Sequence, residues 1–391
     1  MDFEIWWLFI IPLFFALGWV AARIDIKQLL SESRSLPHSY FKGLNFLLNE
    51  QPDKAIDSFI EIVKLDPETA ELHFALGSLF CRRGEIERAI RVHQNLLSRP
   101  DLPREQQEQA LYELGQDYLM AGLFDRAEET FNRLLDTQYG SQARRALLEI
   151  YQRVKEWQRA IEAAQAIQDS GAGGRQKEIA QFYCELAQDE LLKANQVMAL
   201  SLLGKAVASD RMNVRATILM GDALIAGGDT EGALQAWRRV ERQSMPHVAL
   251  VAQRLMDTYS VVGRPQEGLN LLKSYLSGAP SIDLLDVIFK TMVELDGLDV
   301  AYQLVIAELR RTPTLLGLDI LLEARMMMSP SEVRPELSMV KDLVHGYALK
   351  LARYQCSKCG FKARQFYWQC PGCNQWETYP PRRTEELIVM N

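Results

Sequence analysis

Four of the six cysteines in this 391-residue chain fall in one short stretch, Tyr354 to Trp376. They form two Cys-x-x-Cys pairs, Cys356 with Cys359 and Cys370 with Cys373, with ten residues between the pairs. Two residues between thiolates let one tight turn aim both sulfurs at a single ion, and a second such turn completes a tetrahedral four-sulfur site. Gly360 after the first pair and Pro371-Gly372 inside the second are the residue types that such knuckle turns need. The competing chemistry is two disulfides, and the choice depends on compartment.

The opposite end of the chain bears on that choice. Ile5 to Ala22 contains no charged residue and carries Trp6, Trp7 and Trp19 toward its ends. As a helix it would span roughly 27 Å, about one hydrocarbon core. Asp2 and Glu4 precede it, whereas a cleaved signal peptide wants a basic start, so residues 1–24 are predicted to be a retained transmembrane anchor. Arg23 and Lys27 follow the span and orient the rest of the chain to the cytoplasm. That compartment is reducing and favours a metal over disulfides. Cys81 and Cys184 lie in helical patterns and are expected to be small buried hydrophobes.

Between the two ends the chain repeats. A small residue opens the second helix of each unit at Ala55, Ala89, Ala127, Ala160, Ala199, Ala233, Gly268 and Ala301, in steps of 34, 38, 33, 39, 34, 35 and 33 residues. That is the period of the roughly 34-residue tetratricopeptide unit of two antiparallel helices. A small residue recurs twelve positions before the marker (Gly43, Gly77, Gly115, Ala187, Gly221), and an aromatic nine before it (Phe46, Phe80, Tyr118, Tyr151, Tyr259). Asp125 to Glu128 reads as a capping box. The predicted fold is all-α: a repeat superhelix over 36–346 in about eight or nine units, closed by a metal-binding domain over 353–380. First helices line the concave face of such arrays. Candidate partner-binding positions are Phe74, Ser78, Arg82, Tyr112, Gln116 and Met120, with packing between units as the alternative for each. A last helix pair, about Thr314–Met328 and Ser331–Leu351, should cap the array, with Met326, Met327 and Met328 filling core gaps.

Net charge is −7, which argues against a chain built to coat nucleic acid. Lys350 to Arg383 reverses the sign, with seven basic residues against Glu377 alone. The five histidines are scattered, with no His-x-x-x-His pair, and no Gly-x-Ser-x-Gly elbow or dinucleotide fingerprint occurs, so no catalytic constellation emerges. Ser170 to Gly174 lacks the strand and Gly-Lys-Ser/Thr of a phosphate loop and reads as a connection.

The combination of an anchor, repeats and a four-cysteine knuckle resembles the lipopolysaccharide assembly protein B family of Gram-negative bacteria. The resemblance rests on Gly43 to Leu48, Gly84 to Gln94, Asp117 to Glu128, Phe182 to Ala187, Cys356 to Phe361 and Tyr367 to Cys373. It implies a non-catalytic adaptor on the cytoplasmic side of the inner membrane that restrains lipopolysaccharide synthesis. Implied partners are the FtsH protease, the LpxC deacetylase, an inner-membrane lipopolysaccharide-sensing regulator and lipopolysaccharide assembly enzymes. The implied cofactor is one iron or zinc ion on Cys356, Cys359, Cys370 and Cys373 in a rubredoxin-like knuckle. The ten-residue spacer is far shorter than in a true rubredoxin, which leaves zinc and iron both admissible. Two other readings stand beside the adaptor: a rubredoxin-like redox carrier, and a nucleic-acid module built on Arg353, Lys358, Lys362 and Arg364 with Phe366, Tyr367 and Trp368.

Overall fold

A computed structural model describes residues 45–46, 51–65, 69–171, 173–348 and 354–389. The predicted anchor, residues 1–24, lies outside them. Among the described residues no helix is long and apolar enough to cross a membrane. The chain divides into two compact units, Met1–Ile150 and Tyr151–Asn391.

The first unit runs α1 (Pro52–Leu65), α2 (Ala70–Arg83), α3 (Ile86–Leu97), α4 (Arg104–Met120), α5 (Phe124–Asn132) and most of α6 (Gly140–Arg153). The second runs α7 (Trp157–Asp169), α8 (Gln176–Leu192), α9 (Gln196–Ser209), α10 (Val214–Ala226), α11 (Thr230–Gln243) and a 3-10 turn (Met245–Leu250). It continues with α12 (Ala252–Val261), α13 (Pro265–Gly278), α14 (Ile282–Leu295), α15 (Leu298–Arg311), α16 (Leu315–Met328) and α17 (Arg334–Ala348). A hairpin of β1 (Tyr354–Gln355) and β2 (Lys362–Ala363) and the short α18 (Thr384–Val389) close the chain.

The helices join by one recurring turn. Five residues before six of the eight markers the backbone is left-handed: at Gly84, Gly122, Lys155, Ala194, Gly228 and Gly263 φ lies between 57° and 87°. The next residue's N–H then reaches back to an orphan carbonyl of the finished helix, Glu85 to Phe80 and Leu123 to Tyr118 being two cases. Lys155 and Ala194 hold this conformation without glycine's freedom, a local strain that the repeat geometry imposes. The small position twelve before the marker is a true close approach. A Cβ on Gly115 would sit 2.7 Å from the Phe131 ring, and one on Gly221 would sit 2.2 Å from Trp237 Nε1. The recurring aromatic carries a cation: Arg88 lies over Phe80 at 4.1 Å and Arg159 over Tyr151 at 4.2 Å.

Three expectations are corrected. Helix α5 starts at Phe124 with Leu123 at its N-cap and no side-chain cap bond, so Asp125 stands inside the first turn and no capping box opens the helix. Met327 and Met328 are exposed instead of filling core, because α17 covers only one side of α16. Cys81 is half-buried and polar in its contacts: its Sγ is 2.7 Å from Asp117 Oδ1, whose other oxygen is 2.6 Å from the buried His93 Nδ1. Burial, then Asp117, pushes the Cys81 thiol up to about 12, which keeps it protonated. Cys184 is buried as expected.

Candidate metal centre and its seat on the repeats

The two knuckles are built alike. Each first cysteine's carbonyl accepts a hydrogen bond from the residue four positions on, Gly360 N–H to Cys356 at 3.0 Å and Asn374 N–H to Cys370 at 2.8 Å. Those two residues are left-handed, φ 75° at Gly360 and 56° at Asn374. The turn is locked by Cys356 N–H to Phe361 O and Cys370 N–H to Gln375 O, each 2.9 Å. Backbone N–H groups of Lys358 and Gly372 point at Cys356 Sγ and Cys370 Sγ, both at 3.4 Å.

The four Sγ atoms all lie within 4.8 Å of one another. Cys356 and Cys373 are 3.8 Å apart and Cys359 and Cys370 are 3.6 Å apart. Zinc–sulfur bonds of about 2.3 Å in a tetrahedron require sulfur–sulfur edges of roughly 3.8 Å, so the cysteines can hold one metal ion. The separations are far beyond a disulfide bond, and all four are free thiols. Burial opposes ionisation of Cys356, yet hydrogen bonds from Thr378 and from the backbone of Cys359 and Lys358 bring it down to about 6. Cys359 behaves oppositely: the Phe361 N–H favours its thiolate, but desolvation and sharing with Cys370, Cys356 and Cys373 push it up to about 12. The Cys356 thiolate forms readily, whereas Cys359 and Cys373 are pushed up and resist joining it until a cation neutralises the cluster.

The knuckle sits on the second unit through three seats that sequence reasoning missed. At the first, Trp376 wedges edge-on against Trp157 of α7 (6.2 Å) and Phe182 of α8 (6.0 Å). Arg215 of α10, only 4% exposed, lies 5.8 Å from the same ring. Its guanidinium is held by Glu185 at 2.7 Å and Gln188 at 2.9 Å, while Gln181 donates to Glu377 at 2.7 Å. A polar cleft of about 660 Å³ flanks this seat, bounded by Gln152, Arg175 and Gln181 on the helices and by Asn374 and Trp376 on the knuckle. At the second seat, Trp368 stacks on His247 of the 3-10 turn at 5.8 Å and 7°, with Phe366 edge-on at 6.2 Å. Burial pulls His247 down to about 4, so it packs as a neutral ring.

The third seat is the C-terminal strap. Arg383 grips Asp283 of α14 through its Nε at 2.9 and 3.0 Å and through Nη2, and Tyr354 reaches the same carboxylate. Glu386 caps the start of α14 at the Ile282 N–H, and Glu385 caps α16 at the Leu315 N–H (2.8 Å). Two helix N-termini thereby have their orphan donors satisfied by carboxylates from α18.

The sequence had signalled these residues only as a basic, aromatic segment. Arg383 meets an acidic repeat residue, whereas Lys358, Lys362 and Arg364 are exposed. Phe366 and Trp368 are occupied by packing on His247. The candidate groove positions divide. Ser78, Arg82 and Met120 are exposed on α2 and α4, while Phe74, Tyr112 and Gln116 are half-buried. Tyr112 stacks on Tyr139 at 5.1 Å and meets Phe131 edge-on, so it packs between repeats.

Comparison with known proteins agrees with this architecture. A family model described as a rubredoxin metal-binding domain matches residues 354–381, and one described as a tetratricopeptide repeat matches 42–97 and 112–175. The chain is 35% identical over 377 residues to lipopolysaccharide assembly protein B of Escherichia coli strain K12, covering 96% of this chain and 97% of that one. It is 28% identical over 392 residues to the protein of the same name from Haemophilus influenzae, covering 96% and 98%. Among solved structures, YrrB, a tetratricopeptide-repeat protein with an unusual peptide-binding site, aligns with TM-score 0.33 and 18% identity over 50% of this chain and 97% of that one.

Proposed function

The chain belongs to the lipopolysaccharide assembly protein B family, and on that premise we propose that it is a non-catalytic adaptor in lipopolysaccharide assembly, working at the cytoplasmic side of the inner membrane. In this reading it brings the LpxC deacetylase to the FtsH protease and so limits lipid A synthesis. It also contacts an inner-membrane lipopolysaccharide-sensing regulator and the assembly enzymes. The observation that carries the adaptor reading is the seating of the knuckle. Trp376, Trp368 and Arg383 are spent on holding repeat helices.

Four cysteine ligands fill a tetrahedral shell and leave no open position for substrate, which is the pattern of a structural site. Zinc or iron would serve, bound by Cys356, Cys359, Cys370 and Cys373; when bound, the ion supplies cohesion between the two knuckles. The chain's own residues do the rest. The Lys358 and Gly372 N–H groups orient sulfurs, and Tyr379, whose hydroxyl donates to Phe361 O at 3.2 Å, packs beside Cys370. The repeat surface then offers Ser78, Arg82 and Met120 to a client segment. A membrane anchor over 1–24 would raise the effective concentration of that surface near membrane-bound partners.

The test is a pull-down of the full chain from native membranes, read by mass spectrometry. FtsH and LpxC are expected with the wild-type chain and absent with serine at Cys356 and Cys359. Recovery of neither partner with the wild-type chain would overturn the adaptor reading.

A further inference from the structure

The polar cleft beside Trp376 is walled by both sides of the first seat. Arg175, Lys177 and Glu178, at the start of α8, line one side of it. Arg175 is the N-cap of this 17-residue helix and makes no side-chain cap bond, so the first N–H groups of α8 keep their partial positive charge. Arg175 is neutralised by Glu178, both of whose carboxylate oxygens lie 2.8 Å from its Nη1. Lys177 is exposed and has no partner among the described residues. One turn along α8, about 6 Å further, Gln181 donates to Glu377 of the knuckle at 2.7 Å. The cleft is therefore positive at the start of α8 and negative at Gln181. Gln152 from the helices and Asn374 and Gln375 from the knuckle add carboxamides, which both donate and accept. Two buried donors at the seam, Trp376 Nε1 and Arg215 Nε, have no acceptor among the described residues.

We propose that this cleft binds the C-terminal end of a peptide chain, with the peptide's carboxylate on Lys177 and the first N–H groups of α8. Three features select that ligand. A carboxylate makes charge-assisted bonds to the one unpaired cation of the cleft and suits a helix N-terminus. The last two backbone N–H groups of a peptide lie within about 7 Å of its carboxylate, so one of them reaches Glu377 when the carboxylate sits on Lys177. The carboxamides of Gln152, Asn374 and Gln375 match the alternating C=O and N–H groups of the preceding backbone. A phosphate group brings negative charge without that row of N–H donors, and Glu377 opposes it. The cleft holds about 660 Å³, within the range of about 300–1,000 Å³ usual for ligand sites. One wall is knuckle and the other is helix, so the site exists only while Trp376 holds the two together. The four-cysteine fold thereby takes a direct part in recognition, at a site other than the α2 and α4 positions offered to a client.

The experiment uses the full, metal-loaded chain in detergent and a pool of N-acetylated random hexapeptides with free carboxylate ends. It needs no second protein, so it reads the cleft separately from the pull-down that tests the adaptor. Titration with the pool should shift the Trp376 indole N–H resonance, identified as the one lost in Trp376→Phe. The same pool with amidated ends should bind about tenfold or more weakly. Lys177→Glu should weaken binding by a similar factor and Lys177→Arg should retain it; position 177 is exposed, so neither change disturbs packing. Inorganic phosphate should not displace the peptides. Equal binding of the two pools, undiminished binding by Lys177→Glu, displacement by phosphate at the peptide's own concentration, or a Trp376 resonance that no peptide moves would each overturn the proposal.

Discussion

Replacing Trp376 with alanine should release the knuckle from the repeats while leaving the four-cysteine site loaded. Trp376 makes two edge-on contacts, with Trp157 and Phe182, each worth about 0.5–1.5 kcal/mol beyond area burial. The Arg215 guanidinium over its ring adds roughly 0.5–2 kcal/mol in a desolvated setting. The indole N–H is buried without an acceptor among the described residues, so none of the seat's energy comes from a hydrogen bond there. Together the loss is about 3 kcal/mol, a hundredfold or more in the docking equilibrium. The assay is amide hydrogen exchange on the metal-loaded full chain. Exchange should accelerate up to a hundredfold in 366–379 and at the α8 positions around Gln181, with little change around Cys356. The Trp376→Phe variant should fall between. Unchanged exchange at α8 would refute the wedge, and metal loss at a wild-type rate of exchange would show that Trp376 serves the site and not the seat.

Other outcomes follow from the same geometry. His247 is held near 4 against an ordinary value of about 6.5, so its folded pKa is depressed. The unfolded chain therefore binds the extra proton first, and stability should fall by about 2–3 kcal/mol as pH drops from roughly 6.5 to 4. His247→Gln should flatten that part of the pH–stability curve. Gly221→Ala should cost about 1–3 kcal/mol by overpacking, since the new methyl meets Trp237, whose Nε1–H donates to Ile218 O at 3.1 Å; thermal unfolding reads it. A double-mutant cycle of Arg383→Ala and Asp283→Ala should give a coupling of about 1–3 kcal/mol in chemical denaturation, because the pair is partly buried and multiply bonded.

The repeats and the metal ligands were legible because each is written locally. A small residue every 33 to 39 positions and two Cys-x-x-Cys turns report contacts made within a few dozen residues. Even here the left-handed turn five residues before the marker escaped notice, since Lys155 and Ala194 fill it where glycine would have advertised it. The seats were not legible. Gln181 and Glu377 are 196 residues apart, and Arg383 and Asp283 are 100 apart, with no periodicity to link them. Asp125 misled because an acidic residue before a small one suits a first turn as well as a cap. The methionines at 326–328 misled because composition carries no sign for which side of a helix is covered.

In the proposed adaptor, a metal-clasped knuckle completes the surface that commits LpxC to proteolysis. The most direct measurement is the lifetime of LpxC after protein synthesis is blocked, in cells whose only copy of this chain carries serine at Cys356 and Cys359. A markedly prolonged lifetime is expected, with the repeats still folded and membrane-associated. An LpxC lifetime equal to that with the wild-type chain would contradict it.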